Sequence, residues 1–403
     1  MTNEASTDPS GDSSAPPKAR GRLRVLFLAV LVDLIGFGIV LPLLPFYAQD
    51  FGASGLQIGL LVTVYSVVQL VMAPIWGRAS DRFGRRPVLI LGLLGSAVSY
   101  LIFARAGSLT ALFISRIVGG LGGSTVPVAQ AYIADVTTPE KRAGSMGLIG
   151  AAFGLGFVFG PALGGLLSTV SFAAPGYAAA ALCLLNAVIA ALRLPESREP
   201  GRPGRSPRFD VAAALHQAAR SKQIRVTLAV YLFLTMAFST LQPTLSLLAG
   251  QRFNMDARQA GYLFALLGVV SVIVQGGLVR RIVPRIGERA LLRWSTIPFA
   301  IGLALAGSTE SVWLLLAALA FIGIGYGGTI PSALGLLSRT TEADQQGAVL
   351  GLGQSVGSSA RIVGPTLAGA LFDVQASAAY LTAAMLVLVA LALSVGLAQP
   401  DKT

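Results

Sequence analysis

Apolar residues run along this chain in blocks of roughly 18 to 25, the length that spans a bilayer core. Short polar turns separate the blocks. The pattern predicts helices at about 24–46, 56–77, 88–104, 109–134, 144–168, 173–193, 225–248, 258–280, 290–307, 311–337, 346–371 and 378–397. Twelve such helices make an all-α membrane protein; a β-barrel would show short alternating segments instead. The longest internal polar stretch, 194–224, opens as a Pro/Gly/Arg linker. It continues as a short amphipathic helix with Val211, Ala214, Leu215 and Ala218 on one face, expected to lie along the membrane surface. The predicted organisation is therefore a polar tail at 1–23, expected to be disordered, a six-helix bundle at 24–193, the linker at 194–224, a second six-helix bundle at 225–397, and a tail at 398–403. No cleavable signal is evident, and the first apolar helix is expected to direct insertion itself.

The two halves repeat each other. Residues 119–167 align with 323–371 without a gap, at a constant offset of 204. Gly119/Gly323, Gly123/Gly327, Thr125/Thr329, Pro127/Pro331, Gly147/Gly351, Gly160/Gly364, Pro161/Pro365 and Gly165/Gly369 are identical pairs. Helices 4–5 thus recur as helices 10–11 in the same orientation. Two parallel six-helix repeats are the arrangement expected for alternating access around a midplane site.

Composition agrees with the pattern: 54% of the 403 residues are hydrophobic and only 12% are charged. A soluble domain carries about twice that charged fraction. The excess of 30 Lys+Arg over 18 Asp+Glu would suggest nucleic acid in a soluble protein, but here its location explains it. The basic residues gather in the N-terminal tail, the 2–3 loop, the central linker and the 8–9 loop region, while only Arg105, Arg252 and Arg258 fall on the other side. By the positive-inside rule both termini are cytoplasmic, and no nucleic-acid partner is implied. Cys183 and His216 are single, so an intrachain disulfide and a multi-His metal site are excluded. There is no nucleophile–base constellation, metal cluster or phosphate-binding loop, so an enzyme is not expected and no cofactor is implied.

Four motifs carry the candidate chemistry. The 2–3 loop reads GRASDRFGRR, with Gly77, Asp81, Arg82, Gly84, Arg85 and Arg86 at its defining positions. Gly77 would let a helix end approach a neighbour closely, and Gly84 would permit a tight turn. Asp81 can sit against the positive end of a helix, while the arginines pair with carboxylates. A basic anchoring loop would explain the arginines but not Asp81 or both glycines. The second half holds a degenerate copy ending in Gly287 and Arg289, without the aspartate. Helix 5 carries Gly147, Gly156, Gly160, Pro161, Gly164 and Gly165, a smooth face for close helix contact with a Gly-Pro kink, or else generic membrane packing.

Helix 1 contains Asp33 ahead of Gly36, Gly38, Pro42 and Pro45. At ~1.5 Å per residue, Asp33 lies about 14 Å into the helix, near mid-bilayer. A carboxylate there either switches protonation with access and local charge or is a structural group satisfied by a neighbour; the default for intramembrane ionisable residues favours the first. Helix 4 places Arg116 within LFISRIVGGLGG and ends at Asp135. Arg116 is either part of the proton machinery or held structurally by backbone carbonyls. Asp135 either pairs with the loop arginines or is an ordinary exposed carboxylate. Tyr65, Gln69, Gln130, Gln242, Tyr326, Gln354 and Arg361 are candidate cavity residues, with Phe46, Phe233 and Phe238 as candidate apolar contacts.

The loop from Gly77 to Arg86 matches the signature of the major facilitator superfamily. With the helix-5 glycines and the Asp33 and Arg116 motifs, the chain resembles that superfamily's twelve-helix drug:proton antiporters. Its first half looks most like tetracycline exporters, through QLVMAPIWGRASDRFGRRPVL and AAFGLGFVFGPALGG. The resemblance implies a bacterial inner-membrane protein that exports a small, partly hydrophobic compound of tetracycline or multidrug type in exchange for protons, conferring antibiotic resistance. Its partners would be substrate, protons and lipid, and the chain is expected to act as a monomer. Asp33 and Arg116 would then serve proton coupling, the loop and Asp135 the conformational switch, and the helix-5 glycines the antiporter motif. Enterobacterial tetracycline exporters carry a His and an Asp in helices 8 and 9, and this chain has neither there. The rival reading is a facilitator without proton coupling, or a transporter-like receptor of the same fold.

Overall fold

A computed structural model describes residues 17–197, 216, 218–341 and 346–397. The described secondary structure is helical. The first half comprises α1 (Pro17–Val40), α2 (Leu44–Asp50), α3 (Gly55–Phe83), α4 (Arg85–Ala104), α5 (Leu109–Gly122), α6 (Thr125–Val136), α7 (Pro139–Ser168) and α8 (Ala174–Arg193). The second half comprises α9 (Lys222–Ser239), α10 (Leu241–Phe253), α11 (Ala257–Ile273), a π-helical stretch Val274–Val279, α12 (Arg280–Ser308), α13 (Val312–Arg339), α14 (Gln346–Val374) and α15 (Ala376–Val395).

Among the described residues, ten helices are long and apolar enough to cross a membrane. One of them, Ala257–Ser308, runs 52 residues and turns at Gly287, whose φ of 81° and ψ of 162° are not helical. Dividing it there gives two rods where the hydropathy pattern expects helices at 258–280 and 290–307, and α14 runs 29 residues. Several rods are broken where the sequence demands it. Pro42 and Pro45 remove backbone donors after Val40 and separate α1 from α2, and Gly123–Ser124 separates α5 from α6. The outer faces carry unpartnered apolar side chains, Leu192 and Trp313 at 77% and 81% exposure, as a lipid-facing surface requires. The predicted linker helix falls mostly outside the described residues. Its described Ala218 is buried with Ile224, Leu228 and Leu337 against the second bundle.

The repeat extends to helix starts. Ser54 and Gln57 form a capping box at α3: Gln57 N–H donates to Ser54 Oγ at 3.3 Å and Ser54 N–H to Gln57 Oε1 at 2.9 Å. Asp256 and Gln259 do the same at α11. Such reciprocal caps satisfy donors that a helix end leaves free.

The halves meet at the end of the molecule opposite the Arg-rich loops. Ser246 Oγ donates to the Pro42 carbonyl at 2.7 Å, using an acceptor in the α1–α2 break. Thr63 Oγ1 donates to the Ile362 carbonyl at 2.8 Å. Gly55 and Leu56 N–H, at the start of α3, donate to Asp373 Oδ1 and Oδ2 at 2.6 and 2.8 Å. On the same side Gly165 packs on the backbone of Arg258, and Gly261 on the backbone of Pro161 and Gly165. Towards the other end α7 and α11 part. Gly154 still touches Val272, but a Cβ at Gly150, Gly147, Gly276 or Gly277 would meet nothing within 4 Å. The cleft between the halves is closed at one end and open at the other.

Candidate functional site

Asp33 sits half-buried inside the first bundle, where four helices converge. Ser96 from α4 and Thr125 from the start of α6 flank its carboxylate. Cys183 from α8 points its Sγ at Asp33 Oδ1 from 4.0 Å. Thr125 Oγ1 itself meets no partner in hydrogen-bond geometry. The sequence placed Asp33 but not these neighbours; Thr125 stood out only as one of the repeat pairs. Around Asp33 the backbones close up. Gly38 faces Gly160 with no room for a side chain, and Gly156 and Gly164 lie on the backbones of Leu34 and Ile39. The helix-5 glycines therefore let α7 lie directly on α1, the helix that carries the carboxylate.

Arg116 is 4% exposed. Its Nε and Nη2 have no hydrogen-bond partner, and no ion pair joins it to Asp33. The guanidinium lies 5.8 Å from the Tyr65 ring centroid and 6.0 Å from that of Phe103. The Tyr65 and Tyr100 hydroxyls lie within electrostatic reach of both Asp33 and Arg116. The two ionisable groups thus share tyrosine neighbours rather than each other. Tyr65 also packs against Phe37, ring centroids 5.5 Å apart, and its hydroxyl accepts from Gln69 Nε2 at 3.5 Å.

Other candidates scatter. Gln130 and Gln242 are half-buried and Gln354 is exposed. Tyr326 stacks on Phe238, centroids 3.5 Å apart and planes 10° apart. Arg361 donates from Nη2 to Ser358 Oγ at 3.1 Å. Phe46 packs instead at the closed end, beside Gly250. Among the described residues no cluster of His, Cys, Asp or Glu could hold a metal ion.

The loop motif forms a compact ion cluster. Gly84 has φ of 100°, a conformation that disfavours any side chain, and it turns α3 into α4. Arg85, 3% exposed, pairs with Asp81 at 2.6 Å and with Asp135 at 3.0 Å. Asp135 is thus a partner of the loop rather than a free surface carboxylate. Arg86 reaches the Ala191 carbonyl at the end of α8. Arg82 stays exposed, over the ring of Phe83. Two expectations about glycines are corrected. A Cβ at Gly77 or Gly147 would meet nothing within 4 Å; both lie at the parted end of the cleft, so neither serves close contact in this conformation. Glu196, which the sequence did not single out, accepts from the Arg85 and Arg86 backbone N–H at 2.8 and 3.1 Å. It thereby ties the start of the interdomain linker to the positive end of α4.

The whole arrangement can be matched to known proteins. The family model for the Major Facilitator Superfamily matches residues 26–286 and 278–403. The chain belongs to the major facilitator superfamily. It is 33% identical over 367 residues to the class C tetracycline resistance protein of Escherichia coli, covering 89% of this chain and 92% of that one. Multidrug resistance protein 2 of Bacillus subtilis (strain 168) is 30% identical over 375 residues, covering 92% and 93%. The crystal structure of the human organic anion transporter MFSD10 aligns with a TM-score of 0.72 at 29% identity, covering 94% of this chain and all of that one. As a member of the major facilitator superfamily, this chain is a multi-pass membrane transporter of small molecules and not an enzyme.

Proposed function

We propose that this transporter is a proton-coupled antiporter of the bacterial inner membrane that exports a small, partly hydrophobic drug-like compound, of tetracycline or multidrug type, by alternating access. In this reading all twelve rods cross the bilayer and both termini are cytoplasmic, so the open end of the cleft faces the cytoplasm. The observation that carries the reading is Asp33: a carboxylate within the first bundle, beside Ser96, Thr125 and Cys183. An ionised carboxylate so far from bulk water is costly unless something compensates it. Substrate supplies the compensation in the open state. When the halves rock, protons arriving from outside neutralise Asp33 and displace substrate, and the neutral side chain is cheaper to occlude on the return. Arg116 acts through the shared tyrosines, and the Asp81–Arg85–Asp135 cluster sets the balance between conformations. The relatives named for tetracycline and multidrug resistance support the substrate class.

The test is uptake of a substrate panel, including a tetracycline, into inverted membrane vesicles with an imposed proton gradient. Uptake that collapses with the gradient is the expected result. Uptake that is indifferent to the gradient assigns the chain to uncoupled facilitators instead.

A further inference from the structure

Arg361 is the one cation on α14 that faces inward. The lipid-side face of that helix carries Val363 and Leu367, 50% and 37% exposed; Arg361 lies about 200° around the helix from Val363 at ~100° per residue. Its neighbour Ile362 accepts the Thr63 hydroxyl from α3, so this turn of α14 lies at the contact between the halves. Among the described residues no carboxylate pairs with it, and its side-chain hydrogen bond goes to Ser358, three residues back on the same helix. Beside it stands an aromatic wall. Tyr326, within electrostatic reach of Arg361 and Tyr231, lies flat on Phe238, and the Tyr231 ring and hydroxyl pack against Gly357, one turn before Arg361.

The repeat sharpens the contrast. At an offset of 204 the counterpart of Arg361 is Phe157, which packs edge-on to Phe37 with centroids 6.4 Å apart. One half therefore offers aromatic rings and the Asp33 carboxylate, and the other offers aromatic rings and a guanidinium. Arg116 is buried and Arg361 half-buried, and among the described residues neither arginine is ion-paired. A half-buried guanidinium without a counter-charge is free to take an anionic ligand through charge-assisted hydrogen bonds. Guanidinium groups also match carboxylate geometry through two parallel hydrogen bonds.

We propose that Arg361, with the Phe238–Tyr326 stack and Tyr231, is an anion subsite of the transport cleft, so that preferred substrates are aromatic or polycyclic compounds bearing an acidic group. The acid pairs with Arg361 and the ring lies against the stacked aromatics. The rest of the molecule extends across the cleft towards Phe37, Tyr65 and Asp33, where a cationic or donor group completes a dipolar ligand. This rests on the reading of the cleft as the substrate path, and it adds which end of the substrate each half holds.

The experiment is equilibrium binding to the purified full chain in lipid nanodiscs without a gradient. The probes are 1-naphthaleneacetate and its neutral counterpart 1-naphthaleneacetamide. The acetate is expected to bind about tenfold or more tightly than the amide, the scale of one charge-assisted hydrogen bond. Arg361→Gln is expected to remove that preference by weakening acetate alone, and Arg361→Lys to retain most of it. Arg361→Met, charge-free and of similar length, gives the same comparison if the glutamine variant does not fold. Equal affinity for the two probes, binding of neither, or a preference that survives loss of the charge overturns the proposal. Because no gradient is used, binding can succeed where proton-driven uptake fails, and uptake of neutral compounds can succeed where this fails.

Discussion

Glu288 and Arg339 form an ion pair of 2.9 Å that is the charge-inverted image of Arg85–Asp135 in the other half. Glu288 follows Gly287, the second-half glycine with positive φ, as Arg85 follows Gly84. Arg339 ends α13 as Asp135 closes α6. The neighbours repeat too: Arg86 reaches the Ala191 carbonyl and Arg289 the Val395 carbonyl, each at the end of the last helix of its half. The fold thus places a salt bridge at this corner of each bundle, with opposite polarity in the two halves.

Glu288→Gln and Arg339→Gln should therefore each lower thermal stability and turnover, and the charge-swapped double variant E288R/R339E should recover most of both. Glu288 is buried and Arg339 more than half exposed, so the coupling energy is expected to be about 1 kcal/mol. A double-mutant cycle on melting in detergent measures it. A swapped variant no better than the worse single variant would deny that the pair acts as a unit.

Asp33→Asn should abolish gradient-driven uptake in inverted vesicles while the protein stays monodisperse. Asparagine keeps the shape and the hydrogen bonding available to Ser96 and Thr125 but cannot exchange a proton. A loss of at least tenfold in accumulation is expected, with facilitated equilibration retained. Normal gradient-dependent accumulation by this variant would remove Asp33 from the coupling step.

The helix-5 glycines should divide sharply. Gly160→Val and Gly164→Val place side chains against the backbones of Gly38 and Ile39, so α7 would have to leave α1. Overpacking of this kind costs about 1–3 kcal/mol or more, and poor expression with a lowered melting temperature is expected. Gly147→Ala meets open space and should be neutral or stabilising by up to about 1 kcal/mol, since alanine is the better helix former. Equal damage at Gly147 and Gly160 would contradict the packing described for this state.

How far these features can be read without coordinates depends on the interaction. Helix number, the repeat and the special status of Asp33, Gly84 and Arg85 follow from apolar block length and residue spacing, which are local. The Ser96, Thr125 and Cys183 shell around Asp33 comes from three other helices, and no periodicity announces it. The offset of 204 carries Asp135 onto Arg339, but the loop glycines Gly84 and Gly287 stand 203 apart, so Glu288 answers to Arg85 only after a one-residue shift that the gapless repeat does not announce. A search for the same residue types also misses the Glu288–Arg339 pair because the charges are exchanged. Gly77 was misjudged for a different reason: small residues signal close contact, but the cleft is open where it lies.

Asp373 supplies the last prediction, because its carboxylate on α14 caps α3 across the boundary between the halves. Any state open at this end must break both hydrogen bonds, so the cap weights the equilibrium towards the conformation described here. A carboxylate at a helix N-terminus contributes about 1 kcal/mol, which corresponds to roughly a fivefold change in the equilibrium constant. Asp373→Ala should therefore reduce the time spent open at the opposite end. The shift can be read from a thiol introduced by Gly150→Cys, which faces the parted end of the cleft, while the native Cys183 is buried. Labelling by a bulky polar maleimide should slow, by up to about fivefold, when the two substitutions are combined, relative to Gly150→Cys alone. Asp373→Glu, which keeps the charge but lengthens the arm, should fall between them. An unchanged labelling rate in Asp373→Ala would mean that the glycine contacts alone hold the closed end shut.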